Sequence, residues 1–393
     1  MGMTHTLFAL AALVLAHMVF LATARAEDQA TLEMYNRYQP QLQHQIQQNQ
    51  PPVYQARQQQ QQRPQPIYEQ SAQQQVAPVT NPDHTLHGEA GFPQWLAGYK
   101  QRAAQQGLDY NFLERNLMGL TYLPRVIELD QKQPESKITF AQYKKNIVSD
   151  KRIKDGREKL SEYSQLLKAA ERTYGVPAQY IVALWGIETN YGRITGGFDI
   201  LSSLATLAYE GRRAAFFEKE LTNALKILHG GHAGTDKLTG SWAGAMGQCQ
   251  FMPSSYMRYA VDGDGDGNVN IWSSMPDVFA SMANYLKTEG WNSDLRWGRR
   301  VLAPNSISAN EYGREIKKSL SYWRSKGVRT ADGGQLPMPS QGAEILASLV
   351  APDGPGTETY LVYANYNVIM HWNRSTYFAT SVGLLADAIA SAD

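Results

Sequence analysis

The chain has 393 residues, 43% of them hydrophobic and 19% charged, and its 37 Lys and Arg nearly cancel its 36 Asp and Glu, for a net charge of +1. A near-neutral balance with no local Lys/Arg block provides no electrostatic attraction for nucleic acid or an anionic membrane, so neither is expected as a partner. The single cysteine, Cys249, excludes an internal disulfide and a CxxC redox pair, and reads as a small buried apolar residue.

In chain order, Leu7 to Leu21 is almost uninterruptedly apolar and is followed by Ala24-Arg25-Ala26, a small-x-small pattern suited to signal peptidase. Residues 1–26 therefore read as a signal peptide for export, with an uncleaved signal anchor as the alternative because Met1 to Thr6 lacks Lys and Arg. No cysteine lies near the cleavage site for lipid attachment, so no membrane anchor is expected after cleavage. Between Gln39 and Gln75, 18 of 37 positions are glutamine, interrupted by prolines and with few aliphatic side chains to bury. That composition predicts a disordered tether over 27–88.

From Phe92 onward apolar residues recur at three and four, as in Tyr163, Leu166, Leu167 and Ala170, which predicts helices through about Asn223. A helix is expected from Pro177, placed as a first-turn proline, to Asn190, before Gly192. From Val301 to Val362 the pattern loosens into Gly, Pro and Ser punctuation around runs such as Glu344–Val350 and Thr359–Tyr363, which predicts a small antiparallel sheet. Ser375 to Ala390 reads as a closing helix.

On the helix after Pro177, Ile181, Leu184, Trp185 and Glu188 sit at i, i+3, i+4 and i+7, so a carboxyl group shares a face with bulky apolar side chains. Desolvation and the negative end of the helix dipole would both hold such a group protonated, the state a general acid in glycoside chemistry needs. Spacing alone leaves another reading open, a glutamate paired with Arg193 or turned to solvent. Further on, Ser241-Trp-Ala-Gly-Ala-Met-Gly247 and Gln250-Phe-Met-Pro-Ser-Ser-Tyr256 combine small residues with amides, hydroxyls and rings, the residue types that line sugar-binding grooves.

Gly186-Ile-Glu-Thr-Asn-Tyr-Gly192, Gly240–Gly247, Gln250–Tyr256 and the acidic loop after them together resemble the lytic murein transglycosylase B family, in order from about Phe92 to Ala390. The resemblance implies an α+β, mainly helical fold: a lysozyme-like core over 161–300, a surrounding helical domain over 89–160 joined by 375–393, and a small antiparallel β domain over 301–374. It implies cleavage of the β-1,4 bond between N-acetylmuramic acid and N-acetylglucosamine in peptidoglycan glycan strands, leaving 1,6-anhydromuramoyl ends. Glu188 would be the single acid and later base, and Ser241, Gln250, Tyr285, Tyr143, Asn373, Tyr191 and Phe251 would contact sugar. No organic cofactor is expected, and the protein is expected to act as a periplasmic monomer. Near the C-terminus Trp372 stands where the family usually has a tyrosine before Asn373, and Phe378 replaces another, with Tyr377 beside it. A hydrolase of the same substrate and a catalytically silent peptidoglycan-binding protein are the rival readings.

Asp262-Gly-Asp-Gly-Asp-Gly-Asn-Val-Asn270 has carboxylates at positions 1, 3 and 5 of an EF-hand-like loop and Gly267 at position 6. Position 12 is Ser273, so the usual closing glutamate is absent. The family's longer loop closes on a later aspartate, here Asp277. The expected ligands of a structural calcium ion are therefore Asp262, Asp264, Asp266, Asn268 and Asp277, against the alternative of an acidic Gly-rich turn.

Overall fold

The structure, a computed structural model, describes residues 88–131, 138–234, 237–338 and 344–391. The signal segment and, but for Gly88, the glutamine-rich tether lie outside the described residues. Among those described, no helix is long and apolar enough to cross a membrane.

Helices dominate. Helix α1 (Phe92–Gln105) opens on Pro93, whose fixed φ suits a first turn. Its Phe92, Trp95 and Tyr99 form a ladder of rings that also takes in Tyr209. Helices α2 (Tyr110–Leu117), α3 (Pro124–Gln131) and α4 (Phe140–Ile147) follow. The start of α4 is set by a capping box, in which Thr139 and Gln142 satisfy each other's backbone N–H groups. Next come α5 (Asp150–Glu162), α6 (Ser164–Tyr174) and α7 (Ala178–Thr189).

Helix α7 is the axis of the molecule. Every residue in it except Gln179 is buried, so it has no solvent face and must be enclosed on all sides. It is enclosed by α5, α6, α11 (Met275–Thr288) and α14 (Thr376–Ala390). Pro177 is the N-cap of α7, with ψ of 137°, not its first helical residue, so the helix starts one position later than the sequence predicts. Its other end is left-handed: Asn190, Tyr191 and Gly192 have φ of 51°, 61° and 79°. The Tyr191 N–H reaches back to the Trp185 carbonyl at 3.3 Å, and the Thr189 hydroxyl accepts from the Gly192 N–H at 3.0 Å. These bonds satisfy groups the helix end would otherwise orphan and hold Glu188 in its last turn.

Helices α8 (Ile200–Glu210) and α9 (Ala214–His229) pack as a pair, and α10 (Pro253–Tyr259) lies on α9. A two-stranded ladder joins β1 (Phe198–Asp199) to β2 (Thr239–Gly240). The predicted sheet has five antiparallel strands in the order β4-β6-β7-β3-β5, where β3 is Gly298–Leu302, β4 Lys318–Ser319, β5 Arg329–Thr330, β6 Leu346–Val350 and β7 Thr359–Val362. It shares a second, smaller apolar cluster around Trp323, Leu349 and Leu361 with the short helix α12 (Leu320–Ser325).

The sheet ends at Val362, where the β-rich stretch read from sequence also ends. Ala364–Trp372 is a helix, α13, and its Tyr366, Val368, Ile369 and Met370 join the main core. Asp353, between β6 and β7, accepts the Phe140 N–H at 2.8 and 2.9 Å and also bonds the Tyr377 hydroxyl. One carboxylate thereby ties the sheet to the starts of both α4 and α14. An ion pair from Lys144 to Glu358 at 2.5 Å supports the same junction.

Candidate active site

Glu188 is 4% exposed. The indole N–H of Trp372 donates to its Oε1 at 2.7 Å. The Trp372 ring rests on Tyr285, with centroids 4.6 Å apart, and on Phe251 at 5.3 Å, while Tyr285 packs on Tyr259 at 4.2 Å. The acidic side chain thus meets, through Trp372, a cluster of aromatic rings contributed by α10, α11, α13 and the loop before α10. Arg193 does not pair with it: its guanidinium goes to Asp155 at 2.8 Å, where Lys151 also binds. Both alternatives left open by the spacing, solvent exposure and pairing with Arg193, are therefore excluded.

Tyr143, from α4, is fully buried, and its hydroxyl has no hydrogen-bond partner among the described residues. Burial raises its pKa, and the charge of Glu188 raises it further, so the phenol stays neutral and the two groups feel each other. Tyr285 is likewise pushed up by burial, with smaller contributions from Glu289 and Glu188. Both are hydroxyl donors at working pH, suited to hydrogen bonding and not to proton abstraction.

The remaining candidates are placed less uniformly. Gln250 has φ of 48°, and its amide N–H groups go to the carbonyls of Thr195 (2.9 Å) and Gly247 (2.8 Å), which fixes the loop between β2 and α10. Asn373 is the C-cap of α13 and accepts the Ser375 N–H at 3.1 Å. Ser241 is almost fully buried and its hydroxyl accepts the Ala245 N–H at 2.9 Å, which staples a turn. Cys249 is an interior residue whose thiol is pushed up by burial, and its Sγ lies 3.6 Å from the Val278 carbonyl.

Tyr191 is corrected outright. It is fully buried and its hydroxyl donates to the Arg152 carbonyl at 2.6 Å. The ring fits a slot made by two glycines: a Cβ on Gly186 would come 2.6 Å from its Cζ, and one on Gly156 the same 2.6 Å from its hydroxyl oxygen. The left-handed turn after α7 sends the side chain back under the helix, so the aromatic in Gly186–Gly192 braces the glutamate's helix and touches no ligand. Gly186→Ala is expected to lower the melting temperature by about 3–8 °C through this overpacking. An unchanged melting curve would mean that the ring can leave its slot at no cost.

Sequence reasoning missed Gln248. It is buried, accepts the Trp185 indole N–H on Oε1 at 3.0 Å and donates from Nε2 to the Trp272 carbonyl at 3.1 Å. It thus ties the glutamate's helix to the far end of the acidic loop. The available signal was an amide directly after the small-residue run, two positions before Gln250.

In the acidic loop, carboxylate oxygens of Asp262, Asp264 and Asp277 lie within 4.8 Å of one another. Asp266 is exposed and outside this group of carboxylates, and its side chain takes the Asn268 N–H at 2.7 Å. Of the four expected carboxylate ligands, three converge. Asp277 is 1% exposed and accepts the N–H groups of Gly263 at 2.7 Å and Asn270 at 2.6 Å. Burial nonetheless pushes its pKa up to about 8, opposed by those two bonds and reinforced by the charges of Asp264 and Asp262. Asp264 is raised too, by burial first and then by Asp266. Among the described residues no Lys or Arg pairs with any of the three. Converging carboxylate oxygens without a protein cation fit a hard divalent ion.

The transglycosylase SLT domain model matches residues 91–387. The chain is 33% identical over 299 residues to the membrane-bound lytic murein transglycosylase B of Escherichia coli K12, covering 73% of this chain and 80% of that protein. It is 40% identical to SltB3 of Pseudomonas aeruginosa, crystallised with NAG-anhNAM-pentapeptide, with a TM-score of 0.72 and coverage of 76% of this chain and 79% of that one. The Escherichia coli lytic transglycosylase Slt35 in complex with calcium matches with a TM-score of 0.65 at 31% identity, over 75% of this chain and 92% of that one.

Proposed function

The chain belongs to the transglycosylase SLT domain family and is a lytic transglycosylase acting on peptidoglycan, and from that premise we propose that Glu188 alone performs both proton transfers of the cleavage. As acid it protonates the oxygen of the β-1,4 bond between N-acetylmuramic acid and N-acetylglucosamine. The C1–O bond breaks and the N-acetylglucosamine side leaves with a free 4-hydroxyl. The muramoyl C6 hydroxyl then closes on C1 and gives its proton to the Glu188 carboxylate, which regenerates the acid and leaves a 1,6-anhydro end. No water is consumed. An intramolecular nucleophile has a high effective concentration, so the second carboxylate of ordinary glycosidases is not required.

The observation that carries this reading is a glutamate at 4% exposure, on a helix with almost no solvent-facing residue, that accepts the indole N–H of a Trp372 itself packed on Tyr285 and Phe251. The anhydromuramoyl ligand of the Pseudomonas SltB3 structure supports the product. Tyr143, Tyr285, Gln250 and Asn373 are the proposed sugar contacts, with Phe251 and Trp372 as stacking faces. Mass spectrometry of digested peptidoglycan tests the scheme. Muramoyl ends one water lighter than reducing ends are expected, whereas reducing ends throughout would establish the hydrolase instead.

Asp262, Asp264 and Asp277 would hold calcium, which supplies charge neutralisation at the loop. That role is structural: the loop runs from α10 to α11, the helix that bears Tyr285. The apolar segment over Leu7–Leu21 and the peptidoglycan substrate together favour export to the periplasm.

A further inference from the structure

We propose that Trp372 is a positioning residue for the acid, holding Oε1 of Glu188 so that the transferable proton is carried on Oε2. The inference rests on the reading of Glu188 as the acid. The indole Nε1 to Oε1 distance is 2.7 Å, across 184 positions of sequence. An indole N–H donates and never accepts. A hydroxyl in its place could take a proton from the carboxyl group as readily as give one, and would leave either oxygen able to carry the hydrogen. The indole removes that ambiguity, since an oxygen that accepts from it cannot also point a proton at it.

The donor is fixed in direction as well as in kind. Trp372 is the last residue of α13, whose Tyr366, Val368, Ile369 and Met370 are anchored in the main core. Its ring is held between Tyr285 at 4.6 Å and Phe251 at 5.3 Å. Just beyond it, the Asn373 side chain accepts the Ser375 N–H at 3.1 Å and turns the chain into α14. A donor held this way costs no reorganisation when charge develops on Glu188 during proton transfer, and its hydrogen bond is stronger to a carboxylate than to a carboxylic acid. The benefit therefore falls on the chemical step and not on sugar binding.

Trp372→Phe keeps an aromatic ring and removes the donor, along with part of the ring area that packs on Tyr285 and Phe251. Its kcat on purified glycan strands is expected to fall about 10- to 100-fold, the range of one charge-assisted hydrogen bond, with KM changed far less than kcat and the melting temperature lowered by no more than about 3 °C. A hydroxyl supplied at the same position by Trp372→Tyr is expected to restore part of the loss. The second readout needs no turnover. In a 15N-labelled sample, the indole resonance that disappears in Trp372→Phe should move on Glu188→Ala, because its acceptor is gone. Wild-type kcat in the Phe variant, or an indole resonance indifferent to Glu188, would overturn the proposal. Failure of the catalytic reading looks different: Glu188→Gln would turn over normally while the indole resonance still responded to Glu188→Ala.

Discussion

Glu188→Gln is expected to lower product formation at least about 10³-fold while sugar binding persists, as read by muropeptide release and by titration with a non-cleavable glycan fragment. Glutamine has the volume of glutamate and its amide oxygen can still accept the Trp372 N–H, so the surrounding rings need not move. What is lost is the ionisable proton, and with it both the protonation of the leaving oxygen and the recovery of the C6 hydroxyl proton. Because a single group serves both steps, no partial activity is left for a second carboxylate to sustain. Glu188→Asp, one methylene shorter, should also fail, since the carboxyl group would retreat from both the indole and the bond it must protonate. Persistent turnover in the Gln variant would sink the single-acid assignment even if the fold and family stood.

The second large effect is at the acidic loop. Chelation of calcium at pH 8 is expected to lower the melting temperature by on the order of 5–10 °C, and by clearly less at pH 5. The sign follows from Asp277. Its folded-state pKa in the metal-free protein is pushed up to about 8. The unfolded value is about 3.9. Between those limits the folded protein binds the proton that the unfolded chain has lost, so metal-free stability is full below about pH 4 and declines as pH rises through about 8. A cation takes over the role of the proton, so added calcium should flatten this dependence. Asp277→Asn should flatten it as well, with calcium no longer raising the melting point. Activity should respond less than stability, because the loop supports α11 from outside the ring of aromatics at Glu188. A metal-free protein whose melting point is the same at pH 5 and pH 8, and indifferent to calcium, would remove the cation from this account.

The helices, the short antiparallel sheet and the glutamate on an apolar helix face were legible because they are local properties. Periodicity of three and four, Gly and Pro punctuation, and alternating carboxylates at 262, 264 and 266 are set by neighbours a few positions apart. The same local view misread Tyr191. Its type suits a sugar groove, but a left-handed turn buries it beneath α7. Alternation along the chain also does not say which carboxylates converge: Asp262, Asp264 and Asp277 do, and Asp266 lies outside their group.

What the chain order by itself determined was the kind of chemistry: an acid in apolar surroundings, amides and rings for a sugar, oxygens for a hard ion. Only the tertiary structure decided which groups meet. Trp372 reaches Glu188 from 184 positions away, Arg193 is drawn off by Asp155, and Gln248 ties α7 to the acidic loop. Such pairings arise when helices that bury all their faces are packed together, and that packing depends on the shapes of distant surfaces which no short window of sequence contains.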